Sequence, residues 1–488
     1  MPNDGDELPS ASIYADHVIL GGVDGAPLTV AGALVEVRGR AIAAVTPCAR
    51  EELSKRTDHA AILDLGDRLV SPAFINAHVH LPMVAFRGIG GSPALRANVV
   101  EELYFTIERA LTPEDIRAFA RLGAYECLLA GTGLVWEHYY GGVALARGLA
   151  DAGLAGVVAP TLQDLEGPGA SAWEAQLEAT IAIDEDPALE AAGVLAAVGP
   201  HATDTVSDAL WRRAGALAAA RGLPIHAHLA QSLEEFTRSH ARHGLTPVAR
   251  LLESGALEGV ARALLVHGLY VTDEDLTRLD PARDVLGLCP FSQLQFGFLA
   301  DVATWARAGV PWIVATDCAA SNDSMNLQKE LRLVAGIHGH AIATSPVFER
   351  FRTKGQLEDA RGVSALRRDR HAALGDALTP SSLLSRVWSL PGGLHPRLRV
   401  GALAPGWRAT LVVWDRQHPA MWPCLDPLRA LAMGDTTAAI DGLMIDGRWI
   451  GERGRFAESL RQSGEYREAT READARLARL CDRLGLRA

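Results

Sequence analysis

Between residues 71 and 390, short apolar runs alternate with longer stretches that are rich in Ala, Leu and Arg. The apolar runs predict strands, and the stretches between them predict helices. The pattern predicts eight strands, at 74–79, 133–136, 156–161, 194–198, 224–228, 263–267, 285–289 and 312–316. Eight strands alternating with helices are typical of an α/β fold of the (β/α)8 TIM-like barrel type, which gathers its active site at the carboxyl ends of the strands.

A different pattern occupies the two ends of the chain. Short alternating segments with Gly-centred turns run from about 12 to 69 and again from 401 to 450, including the run 401–406, and they predict one small β domain built from both termini. We therefore expect its two halves at 1–70 and 391–456, a barrel at 71–390 and a C-terminal helix at 457–488. Small and apolar residues recur in that helix at helical intervals, so it should pack on the β domain or on a neighbouring subunit.

Composition narrows the classes of function. The chain of 488 residues has a net charge of -12, which argues against a nucleic-acid partner because such proteins need a concentrated basic surface. The N-terminus is acidic and no apolar run reaches membrane-spanning length, so we expect neither a signal peptide nor a membrane partner, and a cytoplasmic location. The six cysteines form no Cys-x-x-Cys pair and predict neither disulfides nor a thiolate zinc site.

Histidines stand at the ends of several predicted strands. His78 and His80 lie two apart on the first strand and should point to the same face, although a His-x-His pair alone is weak evidence for a metal site. The fifth strand ends in His226 and His228, the sixth in His267, and the eighth runs into Asp317. Barrel geometry brings all these groups to one rim. Three imidazoles and one carboxylate are a suitable shell for Zn²⁺ or Fe²⁺ with one position left for water.

Six segments carry a resemblance to a known family. They are 71–88, which contains Arg87-Gly88, the run Gly199-Pro-His-Ala202, and the segments 226–230, 265–267, 289–293 and 316–322. In this order the chain resembles the amidohydrolase superfamily, in the branch of guanine and S-adenosylhomocysteine-type deaminases and triazine hydrolases. The resemblance implies that the terminal β domain is a β-sandwich, and it favours a homodimer or a larger oligomer.

The resemblance also implies roles for individual residues. His78, His80, His228 and Asp317 would bind the metal, and His267 would touch the group under attack and assist proton transfer. Further candidates have an alternative interpretation: His226 as a packing residue, His201 and His138 as loop residues, Arg87 as an ion-pair partner, and Ser292 and Asn322 as turn or cap residues rather than substrate contacts.

The positions of the lysines predict the number of metals. Relatives with two metals bridge them with a carboxylated lysine at the end of the fourth strand. This chain has only Lys55, Lys329 and Lys354, and none of them lies in the barrel before residue 329. We therefore expect one divalent metal per chain, Zn²⁺ or alternatively Fe²⁺. The metal would lower the pKa of a water to about 7, and Asp317 would take that water's proton as it adds to an sp2 carbon.

One position departs from the family pattern. Deaminases of this branch usually carry Glu three residues after the ligand of the fifth strand, whereas this chain has Gln231, which cannot ionise. Imidazolonepropionases, which open a ring, also carry Gln there. The departure favours hydrolysis of a carbon–nitrogen bond in a small neutral or N-heterocyclic amide, urea, carbamate or lactam. The alternatives are an aromatic deaminase or a hydrolase that releases chloride or thiol, and a catalytically inactive metal-binding homologue.

Overall fold

The computed structural model describes residues 10–20, 22, 26–56, 61–89 and 98–485. The described residues form eighteen strands: β1 Ala11–Leu20, β2 Leu28–Arg38, β3 Ala41–Pro47, β4 Ile62–Asp64, β5 Arg68–Pro72, β6 Phe74–His80, β7 Thr132–Tyr139, β8 Ala155–Leu162, β9 Val194–Ala196, β10 Gly199–Pro200, β11 Ile225–Leu229, β12 Ala263–His267, β13 Asp284–Leu288, β14 Trp312–Val314, β15 Asp317–Cys318, β16 Leu411–Asp415, β17 Ile440–Ile445 and β18 Arg448–Ile450.

Helices fill most of the segments between the parallel strands. The α-helices are α1 Arg50–Leu53, α2 Phe105–Glu108, α3 Pro113–Leu129, α4 Gly142–Ala152, α5 Trp173–Glu185, α6 Pro187–Ala191, α7 Asp208–Arg221, α8 Leu233–His243, α9 Pro247–Glu253, α10 Asp273–Arg278, α11 Pro290–Phe296, α12 Val302–Arg307, α13 Ala319–Asn322, α14 Leu327–Ile337, α15 His340–Ala343, α16 Pro346–Lys354, α17 Leu357–Leu374, α18 Pro380–Ser385, α19 Ser389–Gly392, α20 Pro427–Met433, α21 Phe456–Gln462 and α22 Gly464–Leu484. Short 3-10 helices cover Leu81–Phe86 and Thr437–Ala439, and a π-helical turn covers Val100–Tyr104. Within the described ranges, no helix is long and apolar enough to span a membrane.

The central strands pair in parallel, as expected for strands connected through helices. Each of the eight ranges predicted as strands overlaps an observed one. One ladder runs in the order β10-β8-β7-β6-β15, with β9 also on β8, and a second runs β11-β12-β13-β14. Backbone hydrogen bonds connect the two ladders, because the amide of His226 donates to the carbonyl oxygen of Val198 at 3.0 Å and the amide of His228 donates to that of His201 at 2.8 Å.

The eighth predicted strand is interrupted. Its first part, β14, pairs with β13, and its second part, β15, pairs with β6. Asp317 begins β15 with a φ of 62°, in the left-handed region that favours glycine. Because of this break, the eighth predicted strand pairs with β13 of one ladder through β14 and with β6 of the other ladder through β15. The break also turns Asp317 towards the end of β6.

Strands from both ends of the chain form one eight-stranded sheet, hereafter the terminal sheet, in the order β18-β17-β16-β5-β1-β2-β3 with β4 beside β1. Strand β16 shows how the sheet divides its side chains. Leu411 and Val413 enter a core made only by the terminal sheet and its neighbouring loop, whereas Val412 and Trp414 enter the large core of the parallel strands. This alternation follows from the two-residue period of a strand.

Two terminal segments differ from the prediction. Residues 401–406 form no strand, and they lead through bends and turns to β16. The C-terminal segment contains two helices, because Ser463 caps the second by accepting a hydrogen bond from the amide of Tyr466 at 3.0 Å. Helix α21 contacts β17 of the terminal sheet, but α22 packs on α3, where Arg476 and Arg483 bind the buried carboxylate of Asp115. The C-terminal segment therefore contacts the terminal sheet through α21 and packs on α3 through α22, and packing on a neighbouring subunit stays a prediction.

Candidate metal centre

Three histidines converge at the carboxyl end of the parallel strands. The alternation of β6 directs His78 and His80 to the same side, and the neighbouring ladder brings His228 from β11 against them. Ligand nitrogens of the three rings lie within 4.8 Å of one another, and the Nε2 atoms of His80 and His228 are 3.4 Å apart. These are the three imidazoles that the sequence predicted as metal ligands.

Asp317 completes the group. Pairing of β15 with β6 sets Asp317 beside Val79, between the two histidines in register. Its Oδ1 atom lies 3.6 Å from Nε2 of His78 and 3.3 Å from Nε2 of His80. Ser292 donates a hydrogen bond from its hydroxyl to Oδ2 of Asp317 at 2.6 Å and so holds the other carboxylate oxygen.

The second nitrogen of each ring is occupied. Nδ1 of His228 donates to the carbonyl oxygen of His201 at 3.0 Å, and Nδ1 of His80 donates to that of His138. Nδ1 of His78 shares a hydrogen bond of 2.8 Å with Nε2 of His226. Partners of this kind set the tautomer and the orientation of a metal-binding histidine. They leave the Nε2 atoms of the three rings for a ligand in the centre.

Two rings of the cluster are neutral and suit a cation, whereas His80 forms an ion pair with Asp317. Burial lowers the pKa of His78 and His228 well below the ordinary range, so both rings are neutral and offer lone pairs. Burial also opposes the charges on His80 and Asp317, but their mutual contact outweighs it, raising the pKa of His80 and lowering that of Asp317.

One nitrogen provides a test of whether a metal fits. Nε2 of His78 is buried and has no hydrogen-bond partner among the described residues. An unpaired buried nitrogen is costly, and a coordinated cation would satisfy it. Three imidazole nitrogens and one carboxylate oxygen are also a donor set that Zn²⁺ and Fe²⁺ accept. The residues therefore fit a divalent metal.

An inner cavity of about 60 Å³ opens beside the cluster. It is lined by His80, Met83, Val100, Tyr104, Phe105, Glu108, His138, Tyr139, Tyr140, Thr161, His201, His228, Gln231, His267, Phe296, Asp317 and Cys318. His267 ends β12 with a φ of 83°, and its Nδ1 atom is buried without a partner in the described part of the chain. A non-glycine residue held in this conformation at the wall of a cavity is typical of a functional position.

The predicted substrate contacts divide into two groups. His138, His201, His267 and Gln231 line the inner cavity. The other three do not appear among the described residues of its wall. Arg87 forms an ion pair with Glu126 at 2.6 Å, Ser292 holds Asp317, and the side-chain amide of Asn322 donates to Glu330 and to the backbone of Thr316. Their polar groups are bound to protein partners in the structure, and contact of these three residues with substrate stays a prediction.

Sequence reasoning missed several residues of the cavity. Tyr139 and Tyr140 follow His138 directly, and this position at a strand end was a usable signal. Glu108 had no such signal, since it ends a short helix of mixed composition. Burial raises the pKa of Glu108 to about 7, so a second acid besides Asp317 faces the inner cavity.

An outer cavity of about 480 Å³ adjoins the inner one. The two share six lining residues: Val100, Phe105, His201, Gln231, His267 and Phe296. The remaining wall of the outer cavity comes from the segments that contain Asn98, Asp204, Ser232, Tyr270 and Leu294. A volume of this size is within the range of small-molecule binding sites. Strand ends supply part of the inner wall together with the segment 100–108, and the segments that follow the strands supply most of the outer wall.

Comparison with known proteins agrees with this site. The model of the amidohydrolase family matches residues 69–347, which is more than half of the chain. A 5-methylthioadenosine/S-adenosylhomocysteine deaminase of Nitratidesulfovibrio vulgaris is 28% identical over 430 residues, or 87% of this chain and 88% of the relative. A 5'-deoxyadenosine deaminase of Methanopyrus kandleri is 25% identical over 447 residues, or 90% of this chain and 95% of the relative.

Solved structures show the same fold. An adenosine deaminase from Xanthomonas campestris with bound zinc superposes with a TM-score of 0.78 at 22% identity, covering 97% of this chain and 98% of that one. An atrazine chlorohydrolase from Arthrobacter aurescens in complex with zinc superposes with a TM-score of 0.74 at 19% identity, covering 95% and 100%. The prediction of a metal-dependent hydrolase that cleaves non-peptide carbon–nitrogen bonds in small molecules is confirmed, and the chain belongs to the amidohydrolase family.

Proposed function

We propose that the protein is a mononuclear hydrolase that cleaves an amide, urea, carbamate or lactam bond in a small neutral or N-heterocyclic molecule. The observation that carries this proposal is the contrast between two groups at the inner cavity. His78, His80 and His228 lie together with Asp317 beside them, but Gln231, which lines the cavity, cannot ionise. A carbonyl carbon needs less help from a protonating side chain than an aromatic ring does.

His78, His80, His228 and Asp317 would hold the metal. A bound divalent cation supplies a Lewis acid that activates water and polarises the group under attack. We infer one Zn²⁺ per chain, with Fe²⁺ as the alternative, because Lys55, Lys329 and Lys354 are all exposed and therefore lie outside the buried cluster. Zinc in two solved structures with this fold supports the choice of metal.

The protein groups then divide the proton transfers. A carboxylate oxygen of Asp317 accepts the proton of the attacking water, since the low pKa of Asp317 keeps it ionised. His267, which lines the inner cavity, orients the attacked group and assists transfer to the leaving nitrogen. Gln231 holds the substrate by hydrogen bonds through its amide, and His201 and His138 complete the contacts.

Release of ammonia or chloride from an aromatic ring is the second candidate. Glu108 favours it, because an acid with a pKa of about 7 at the wall of the inner cavity can protonate a ring nitrogen and so replace the missing Glu at position 231. The names of the relatives, which are deaminases of adenosine compounds, point the same way.

We infer the arrangement of the whole chain from the strand pairings. The two parallel ladders close into a (β/α)8 barrel over 71–390, since β14 and β15 contact opposite ends of them. Residues 1–70 and 391–456 would form the two parts of a β-sandwich, supported by the separate core on one side of the terminal sheet. Residues 457–488 would form the C-terminal helical segment, although 1–9 and 486–488 lie outside the described residues. The homo-oligomer and the cytoplasmic location stay predictions.

Metal analysis combined with a product screen tests the proposal. Purified protein should contain about one divalent metal per chain and should release amine or ammonia from part of a panel of amides, ureas, carbamates and lactams. Two tightly held metals would refute the single site. Turnover confined to aminopurines or chlorotriazines would favour the second candidate, and full metal content without turnover on either panel would point to an inactive homologue.

A further inference from the structure

Acidic groups line the outer cavity. Glu101, Asp204 and Glu234 contribute to its wall, whereas no Lys or Arg side chain does so among the described residues. A cavity with one sign of charge and low-dielectric walls concentrates the field of that charge. The wall is therefore suited to a positively charged group and unsuited to a carboxylate, sulfonate or phosphate.

Asp204, which contributes to this wall, has one carboxylate oxygen without a partner among the described residues. Only 5% of the residue is exposed, and its Oδ1 atom is buried without a hydrogen-bond partner in the described ranges. The other oxygen, Oδ2, accepts a hydrogen bond of 3.1 Å from Arg238. A buried carboxylate oxygen without a partner is costly to the folded protein. A donor from a ligand in the outer cavity would remove this cost.

Arg238 does not neutralise the wall. Its guanidinium binds both carboxylate oxygens of Glu101, and a third carboxylate, that of Glu166, lies 3.8 Å away. Together with Asp204, three carboxylates therefore surround one cation. A second guanidinium, that of Arg242, donates to the backbone carbonyl oxygen of Asp204 at 2.8 Å. With Glu234 also in the wall, the carboxylates still outnumber the two guanidinium groups.

Aromatic rings line the same cavity as these carboxylates. Phe105, Tyr270 and Phe296 line it, and ring faces attract an ammonium group in addition to excluding water. Because Phe105 and Phe296 also line the inner cavity, a flat substrate head in the inner cavity and a charged tail in the outer one would contact the same rings.

We propose that the outer cavity binds a protonated amine on the unreactive part of the substrate, with Asp204 as the partner of its ammonium group. The inference rests on the proposed function, because it takes the inner cavity as the place of reaction. It narrows the substrate class to neutral carbonyl compounds or N-heterocycles that carry a cationic side chain. Gln231 and His267, which line both cavities, would lie at the junction of the reacting head and this tail.

Binding of matched probes to the metal-loaded full-length protein tests the proposal. Isothermal titration calorimetry would compare 4-phenylbutylammonium, 4-phenylbutan-1-ol and 4-phenylbutane-1-sulfonate, which share an aromatic head and a chain and differ only in the terminal group. We expect the ammonium compound to bind at least tenfold more tightly than the alcohol. The sulfonate should bind at least tenfold more weakly than the alcohol.

Two variants test whether Asp204 is responsible for the preference for the ammonium compound. Asp204→Asn should remove most of the advantage of the ammonium compound and change the affinity of the alcohol by less than twofold. Glu258→Gln removes one negative charge at an exposed site that is outside the cavity wall, so it should change neither affinity. The comparison of the three probes on the wild-type protein needs no variant and remains decisive if Asp204→Asn does not fold.

Several outcomes would overturn the inference: equal affinities of the three probes, tighter binding of the sulfonate, or no binding of the ammonium compound. Retention of the ammonium preference in folded Asp204→Asn would do the same for the role of Asp204. These results are independent of the proposed reaction, because the calorimeter reads binding without turnover. The product screen can therefore fail while the protein still prefers the ammonium compound. The calorimetric comparison can likewise fail while the product screen succeeds.

Discussion

The terminal sheet and the metal centre use the same strand geometry in opposite ways. In β16, alternate residues fill two apolar cores, and the indole nitrogen of the buried Trp414 donates to the hydroxyl of Ser71 at 2.8 Å. In β6, alternation instead directs two histidines into a buried polar cluster, where Nε2 of His78 has no hydrogen-bond partner in the part of the chain that the structure describes. His267 and Asp317 there adopt positive φ angles.

This difference separates the tasks of the two regions. Apolar cores on both faces and paired polar groups stabilise the terminal sheet. Unpaired nitrogens and positive φ angles among the described residues of the candidate metal centre instead cost stability, and they are retained where a ligand can use them. Substitutions in the metal centre should therefore affect chemistry first, and substitutions in the terminal sheet should affect stability first.

The largest effect should come from Asp317→Asn. Loss of this proposed ligand and proton acceptor should lower kcat/KM by about 10^4-fold on the best substrate of the panel and should deplete the metal. Asp415→Asn is the matched control, because Asp415 is a partly exposed carboxylate of the terminal sheet that pairs with Arg68 at 3.3 Å. Kinetics and elemental analysis measure both. Full metal and activity in Asp317→Asn would show that this carboxylate is no ligand.

Leu411→Ala should lower stability and leave the metal centre unaffected. Leu411 is fully buried in the separate core of the terminal sheet, so truncation should lower the free energy of unfolding by about 3 kcal/mol while metal content stays the same. Leu425→Ala is the control, because Leu425 is 90% exposed and should change stability by less than about 0.5 kcal/mol. Denaturant titration measures both values. Depletion of the metal in Leu411→Ala would break the separation between the two regions.

Gln231→Glu sharpens the chemistry of the metal centre. A negative charge at the cavity wall should leave the metal in place, add an ionisation to the pH profile and lower the rate of the native reaction by about 10^2-fold. The wild-type protein should not deaminate adenosine-type or guanine-type substrates. Gln356→Glu, at the exposed start of α17, should have no effect on these measurements. Efficient aminopurine deamination by the wild-type protein would instead assign the proton to another acid, with Glu108 as the candidate.

The smallest expected effect is on the pH dependence of stability. Glu235 is buried, accepts hydrogen bonds from the hydroxyl of Thr203 at 2.6 Å and the amide of Gln231 at 2.8 Å, and has its pKa raised by burial to about 7. The folded protein therefore keeps this proton longer than the unfolded chain does. Its contribution to stability is full below the ordinary carboxyl pKa and is lost as the pH rises to about 7.

Replacement of Glu235 by Gln should flatten the pH dependence of the unfolding free energy. Between pH 5 and pH 8, the unfolding free energy of the wild-type protein should fall relative to that of Glu235→Gln by on the order of 2 kcal/mol. Glu258→Gln, at an exposed site, should leave the wild-type profile unchanged. Chemical denaturation of metal-free protein at several pH values measures the difference. Parallel profiles for Glu235→Gln and the wild-type protein would show that the proton is not retained on folding.

Much of the candidate site could be predicted from the sequence, because its groups stand at strand ends. The period of a strand places His78 and His80 on one side, and parallel strands bring His228, His267 and Asp317 to the same end. The break between β14 and β15 could not be predicted, since it depends on pairing with two strands that are distant in sequence.

The sequence by itself determined the alternation of strands and helices and the residues that stand at the strand ends, because these depend on local periodicity. Only the tertiary structure decided which polar groups enter a cavity. Arg87 lies close to the ligands in sequence but pairs with Glu126, while Glu108 and Asp204 reach the two cavities without any motif. The direction of a loop and the partner of a charged side chain depend on residues far along the chain, and no local pattern contains that information.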